Sequence, residues 1–185
     1  MWNIPNSLTI SRIVMIPILV LVYIYDNKWS NLLSAVIFSL AAITDWFDGY
    51  LARKLGQLSA FGAFLDPVAD KLMVSTALIL LVFAHGDNLL IVISAIVIIG
   101  REITISALRE WMAELGKSAN VAVSMIGKVK TFAQMGSITF LLYHDDLLSL
   151  PIFNIGEALL IIAAVLTIIS MFLYLKAAWQ VMKNH

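Results

Sequence analysis

Residues 155–178 read IGEALLIIAAVLTIISMFLYLKAA, and the only charges, Glu157 and Lys176, stand near the two ends. About 20 mostly apolar residues suffice for a helix to cross the hydrocarbon core of a bilayer, so this stretch alone predicts a transmembrane helix. Five more such stretches precede it, at roughly Leu8–Tyr25, Ser30–Ala52, Phe61–Ala84, Leu89–Leu108 and Val129–Tyr143. The breaks carry turn chemistry: Asp26-Asn27-Lys28, Leu55-Gly56-Gln57, His85-Gly86-Asp87-Asn88, and Asp145-Asp146 up to Pro151. The longest insert, Arg109 to Lys128, is too short for a separate soluble domain. The expected fold is all-α: a polytopic integral membrane protein with six transmembrane helices, forming a single membrane-embedded domain over residues 1–185.

Composition points the same way. Of the 185 residues, 61% are hydrophobic and 13% charged, against roughly 45–50% and about 25% in soluble domains. A water-soluble globule is excluded. Twelve Lys+Arg balance twelve Asp+Glu, which leaves no basic face for nucleic acid. There is no Cys, so disulfides, thiolate metal sites and Cys nucleophiles are excluded as well. Orientation follows from the basic residues, which mark cytoplasmic ends. With the N-terminus inside, Arg12, Arg53, Lys54, Lys71, Arg101, Arg109, Lys117, Lys128, Lys130, Lys176 and Lys183 all fall at or towards that side, and only Lys28 falls outside. Both termini are therefore expected in the cytoplasm. No small-residue cleavage site follows Tyr25, so the first apolar run reads as a mature helix. The residues ahead of it, Trp2 to Thr9, mix apolar and polar side chains and read as a short interfacial segment.

Four acids interrupt the apolar pattern: Asp45 and Asp48 late in the second span, Asp66 and Asp70 early in the third. Each charged residue at a helix centre costs about 2.5–3.5 kcal/mol, so four together would cost on the order of 10 kcal/mol before mutual repulsion. Spacings of i,i+3 and i,i+4 put each pair on one helix face, and a short loop lets the two helices bring all four together. Hard divalent cations prefer oxygen ligands, and two of them would neutralise four carboxylates with positions left for phosphate oxygens. A pair of Mg²⁺ or Mn²⁺ ions is the reading this favours. Pairing with Arg53, Lys54 and Lys71 is the plainer alternative. Gly49, Ala52 and Gly62 are small enough for close approach of a helix or a ligand.

Taken in order, Asp45-x2-Asp48-Gly49-x2-Ala52-Arg53-x8-Gly62-x3-Asp66-x3-Asp70 resembles the signature of the CDP-alcohol phosphatidyltransferase family at all eight specified positions. Pro5-Asn6-Ser7-Leu8-Thr9-x2-Arg12 resembles that family's N-terminal element. The resemblance implies that Asp45 and Asp66 bridge two metals, that Asp48 binds one, and that Asp70 binds the second and acts as general base. It also implies that Asn6, Thr9, Gly49, Ala52, Arg53 and Ser59 hold the CDP part of a CDP-diacylglycerol. A homodimer in the bacterial inner (cytoplasmic) membrane, with the active site facing the cytoplasm, follows from the same likeness.

Gly100-Arg101-Glu102 through Leu108-Arg109-Glu110, with Gly127-Lys128-Val129-Lys130-Thr131 and Gln134, is similar to the bacterial phosphatidylglycerophosphate-forming branch of the family, which implies sn-glycerol 3-phosphate as acceptor. An anionic acceptor needs cations, and Arg101, Arg109, Lys128 and Lys130 cluster at the inner ends of spans four and five. Positive-inside topology accounts for the same residues without a ligand. Two other readings stay open: a related transferase with another acceptor alcohol, and a divalent-cation transporter, since intramembrane carboxylates also mark ion paths.

Overall fold

The computed structural model describes residues 4–25, 27–55, 59–114 and 125–183, with side chains of some helix-end positions outside the described set. Six helices appear among them: α1 (Ile4–Ile24), α2 (Ser30–Leu55), α3 (Ala60–Ala84), α4 (Leu89–Glu114), α5 (Met125–Tyr143) and α6 (Ile152–Lys183). Four contain segments long and apolar enough to cross a membrane: Asn6–Ile24, Ala60–Ala84, Leu89–Glu114 and Ile152–Lys176. Among the described residues α2 contributes the shorter apolar segment Ser30–Asp45.

Local chemistry sets the helix ends. Ser59, in extended backbone, caps α3 by accepting a hydrogen bond from the Gly62 N–H at 2.9 Å. Asn88 does the same for α4, its Oδ1 accepting from the Leu90 N–H at 3.0 Å, while its Nδ2 donates to Glu157 of α6 at 2.8 Å. Beyond α5, His144 is left-handed (φ 64°) and its N–H closes on the Phe140 carbonyl. Leu148 and Ser149 are left-handed too, and turn the chain tightly between the bridged Leu147 and Leu150.

α1 packs against α2 and α3, whereas α6 packs against both α4 and α5. Leu19, Phe38, Leu78, Leu81, Ile91, Ile98, Ile138, Leu141, Leu142 and Leu160 are fully buried between them. Gly156 lets α6 close on α5, since a Cβ there would stand 3.0 Å from Phe140 Cβ and 3.2 Å from the Leu141 backbone nitrogen. The exterior is apolar as well: Leu21, Phe64, Ile79, Phe83, Phe132 and Phe172 all stand exposed. Asn6, Thr9, Arg12, Lys130, Gln134 and Ser137 are buried. Polar side chains inside and large apolar ones outside are the arrangement a lipid solvent selects.

From Ile4 onward the presumed interfacial segment is already the opening of α1. Asn6 and Thr9 face the interior, because a helix that carries polar residues at three-residue spacing turns them towards their partners rather than along a surface.

Candidate active site

α1 supplies a buried polar stripe, Asn6, Thr9 and Arg12, that meets both acid pairs. The Thr9 hydroxyl donates to Asp66 Oδ1 at 2.6 Å. Arg12, only 1% exposed, reaches Asp45 Oδ1 at 2.8 Å through its guanidinium. Asp45 itself is 41% exposed, so the pair joins a sequestered cation to a carboxylate still open to the site. Asp70 lies near enough to Asp45, Arg12, Glu102 and Lys71 to feel the charge of each. Helices α2 and α3 thus bring Asp45 and Asp70 together, and Thr9 holds the rotamer of Asp66 beside them.

The α1–α3 contact is close. Ser59 Oγ donates to Asn6 Oδ1 at 3.0 Å, and a Cβ on Gly62 would fall 2.6 Å from that same Oδ1. Only a residue without a side chain lets Asn6 sit against the first turn of α3. Three of the residues expected to hold CDP, namely Asn6, Thr9 and Ser59, therefore form one patch beside Asp66. The side chains of Asp48, Gly49, Ala52 and Arg53, expected at the same site, lie outside the described residues.

Glu102 of α4 accepts from Arg101 Nη1 and from Lys130 Nζ of α5, both at 3.0 Å on the same Oε1. Arg101 also points Nη2 towards Ser170 of α6 at 3.5 Å. Lys71 donates to Ser106, and Ser106 donates to the Glu102 carbonyl at 2.6 Å, which ties α3 to α4. Lys130 and Asp70 are close enough to interact electrostatically. Arg101 and Lys130 are thus gathered on one carboxylate, that of Glu102, with Lys130 in electrostatic range of Asp70. Arg109 is not: it sits on an exposed face, donating to the Tyr174 hydroxyl at 2.8 Å with its guanidinium 5.0 Å from that ring. The Lys128 side chain lies outside the described residues, and so does Lys117.

Neither Arg12 nor Glu102 is among the site residues expected from the sequence. The signal for Arg12 was its place in the three-residue series Asn6, Thr9, Arg12 as the one charge in the first span, and for Glu102 its place directly after Arg101 within a span.

A family model described as CDP-alcohol phosphatidyltransferase matches residues 2–172. The chain belongs to the CDP-alcohol phosphatidyltransferase family. It is 55% identical over 184 residues to a protein of Sodalis glossinidius (strain morsitans) named CDP-diacylglycerol--glycerol-3-phosphate 3-phosphatidyltransferase, covering 99% of this chain and 98% of that one. Proteins of the same name from Yersinia pestis (strain Pestoides F) and Salmonella choleraesuis (strain SC-B67) are 54% and 52% identical, each over 96% of this chain and over 96% and 95% of their own length.

For this member of the family, the donor set suits a hard divalent cation, since Asp45, Asp66 and Asp70 offer carboxylate oxygens. Among the described residues no three such groups stand close enough to hold an ion unaided, and the fourth acid, Asp48, contributes a side chain outside that set.

Proposed function

We propose that this protein transfers the phosphatidyl group of CDP-diacylglycerol to sn-glycerol 3-phosphate, forming phosphatidylglycerophosphate and releasing CMP. The observation that carries the reading is 55% identity, over nearly the whole of both chains, to a relative named for that reaction. The neighbouring acidic and basic clusters around Asp70 support it, because the reaction needs a proton acceptor between a pyrophosphate and an anionic alcohol.

In this mechanism Asn6, Thr9, Gly49, Ala52, Arg53 and Ser59 bind the CDP part of the donor. Asp45, Asp48, Asp66 and Asp70 would hold two divalent cations, Mg²⁺ or Mn²⁺, which when bound neutralise charge on the pyrophosphate. Arg101 and Lys130, with Lys128, receive the acceptor's phosphate and aim its hydroxyl at the lipid-bearing phosphorus. Asp70 takes the hydroxyl proton as the new P–O bond forms and the bond to CMP breaks, a role that requires hydrogen-bond reach of that hydroxyl. Arg12 holds Asp45, and Thr9 holds Asp66, in place for the donor. Arg109, engaged by Tyr174, is left out of the acceptor site. We extend the reading to topology and assembly: six spans, both termini and the active site on the cytoplasmic side of a bacterial inner membrane, and a homodimer.

The test is reconstitution. Purified protein in lipid–detergent micelles, given both substrates and Mg²⁺, is expected to release CMP. Asp70→Asn is expected to abolish release while thermal unfolding stays that of a folded protein. Near-normal turnover of Asp70→Asn would remove Asp70 as the base. A panel of serine, inositol phosphate and phosphatidylglycerol as acceptors separates the reaction from its relatives. Cation uptake into proteoliposomes that is indifferent to CDP-diacylglycerol would favour a transporter instead.

A further inference from the structure

Glu102 occupies a place that the proposed reaction does not explain. It carries a negative charge into a site argued to receive an anion, where it ought to weaken binding. The contacts suggest otherwise. A single oxygen, Oε1, takes one hydrogen from Arg101 and one from Lys130, each at 3.0 Å, and the three side chains are 24%, 12% and 6% exposed in the order Glu102, Arg101, Lys130. Among the described residues α4 and α5 do not otherwise pack against each other, so this carboxylate is the link that draws Lys130 of α5 to Arg101 of α4.

The shared oxygen leaves donors free. An ammonium has three N–H bonds and Glu102 takes one of them from Lys130. Arg101 turns Nη1 to Glu102 and Nη2 towards Ser170, while its buried Nε has no hydrogen-bond partner. One turn on, Ser106 donates to the backbone carbonyl of Glu102 and accepts from Lys71, the neighbour of Asp70, which fixes α4 against α3 at this level. Two cations this close would repel and splay without an anion between them, and long flexible side chains lose entropy when ordered by a ligand alone.

We infer that Glu102 is a positioning residue of the acceptor pocket, its carboxylate holding Arg101 and Lys130 together so that their remaining donors meet the acceptor's phosphate. This rests on the reading that Arg101 and Lys130 bind that phosphate. Glu102 touches neither substrate in this scheme; it acts through the two cations.

The experiment measures CMP release by the full-length protein in lipid–detergent micelles with Mg²⁺, varying each substrate in turn. Glu102→Gln keeps the shape and removes the charge. It is expected to raise KM for glycerol 3-phosphate about tenfold, the equivalent of losing one net hydrogen bond to a charged group. KM for CDP-diacylglycerol is expected to stay put, and Glu102→Asp to recover part of the loss. An unchanged KM for glycerol 3-phosphate, or equal rises in both KM values, overturns the inference. Should Glu102→Gln fail to fold, Glu102→Asp decides alone: a rise confined to the glycerol 3-phosphate KM supports the role, and wild-type constants remove it. Arg101→Met and Lys130→Met separate the two claims. If they leave KM for glycerol 3-phosphate unchanged, the acceptor site itself is misassigned; if they raise it while Glu102→Gln does not, only the role of Glu102 falls.

Discussion

At Gly62 one hydrogen atom in place of a methyl group decides whether α1 can seat its polar stripe. The added Cβ of Gly62→Ala would meet Asn6 Oδ1 at 2.6 Å, and Asn6 is buried and already held by Ser59, so it has little room to yield. The expected cost is about 1–3 kcal/mol, typical of overpacking. It should appear as a lowered melting temperature in micelles, together with a raised KM for CDP-diacylglycerol. A variant with wild-type melting and wild-type KM would show that Asn6 moves aside freely. The acid pairs were legible at this scale from spacing alone, since i,i+3 and i,i+4 carboxylates share a helix face in any fold. Their partners were not, because the pairing of Arg12 with Asp45 depends on how α1 is rotated against α2.

At the scale of elements, the turn between α5 and α6 holds a removable strain. Leu148 is left-handed (φ 52°) and 89% exposed, so its side chain packs on little while its Cβ crowds its own backbone. That conformation costs a residue with a Cβ roughly 1–2 kcal/mol, and glycine returns part of the gain through the entropy of the unfolded chain. Leu148→Gly is expected to stabilise the protein by about 0.5–1 kcal/mol on that balance, read as a higher melting temperature. A lower one would mean that Leu148 makes apolar contacts worth more than the strain. Several helix ends were readable in the sequence: Leu55, the His85-Gly86-Asp87-Asn88 turn and the Asp145-Asp146 break all stand at observed ends, whereas the Ser59 cap came only from the structure. α1 and α5 start four residues before the expected spans, and α4 and α6 run past theirs, from Leu108 on to Glu114 and from Ala178 on to Lys183, with no Gly or Pro in between to stop them.

Across the whole molecule, the end opposite the acids is joined by histidines from different segments. His85, after α3, stacks on His144, after α5, with ring centroids 5.4 Å apart, and Phe153 of α6 packs 5.0 Å from each. Burial, and then the neighbouring His144, lower the affinity of His85 for a proton, while Asp87 opposes them. A folded-state value below the ordinary one of about 6.5 means that the unfolded chain binds the extra proton more readily. The stability His85 contributes is therefore complete above about pH 6.5 and is lost as pH falls through the lower, folded-state value. Melting temperatures between pH 8 and pH 5 should fall more steeply for the wild type than for His85→Gln. Parallel curves for the two would remove His85 from the account.

Composition and periodicity by themselves determined that this chain is helical, apolar on its outside, and equipped with two acid pairs on consecutive helices, because those properties depend only on residue type and spacing along a single helix. Which cation meets which carboxylate, why Gly62 must lack a side chain, and how Glu102 gathers Arg101 and Lys130 while Arg109 turns away to Tyr174 were decided only by tertiary structure. Such contacts depend on the rotation and approach of helices far apart in sequence, and a difference of an ångström or two there selects one partner from several of the same charge.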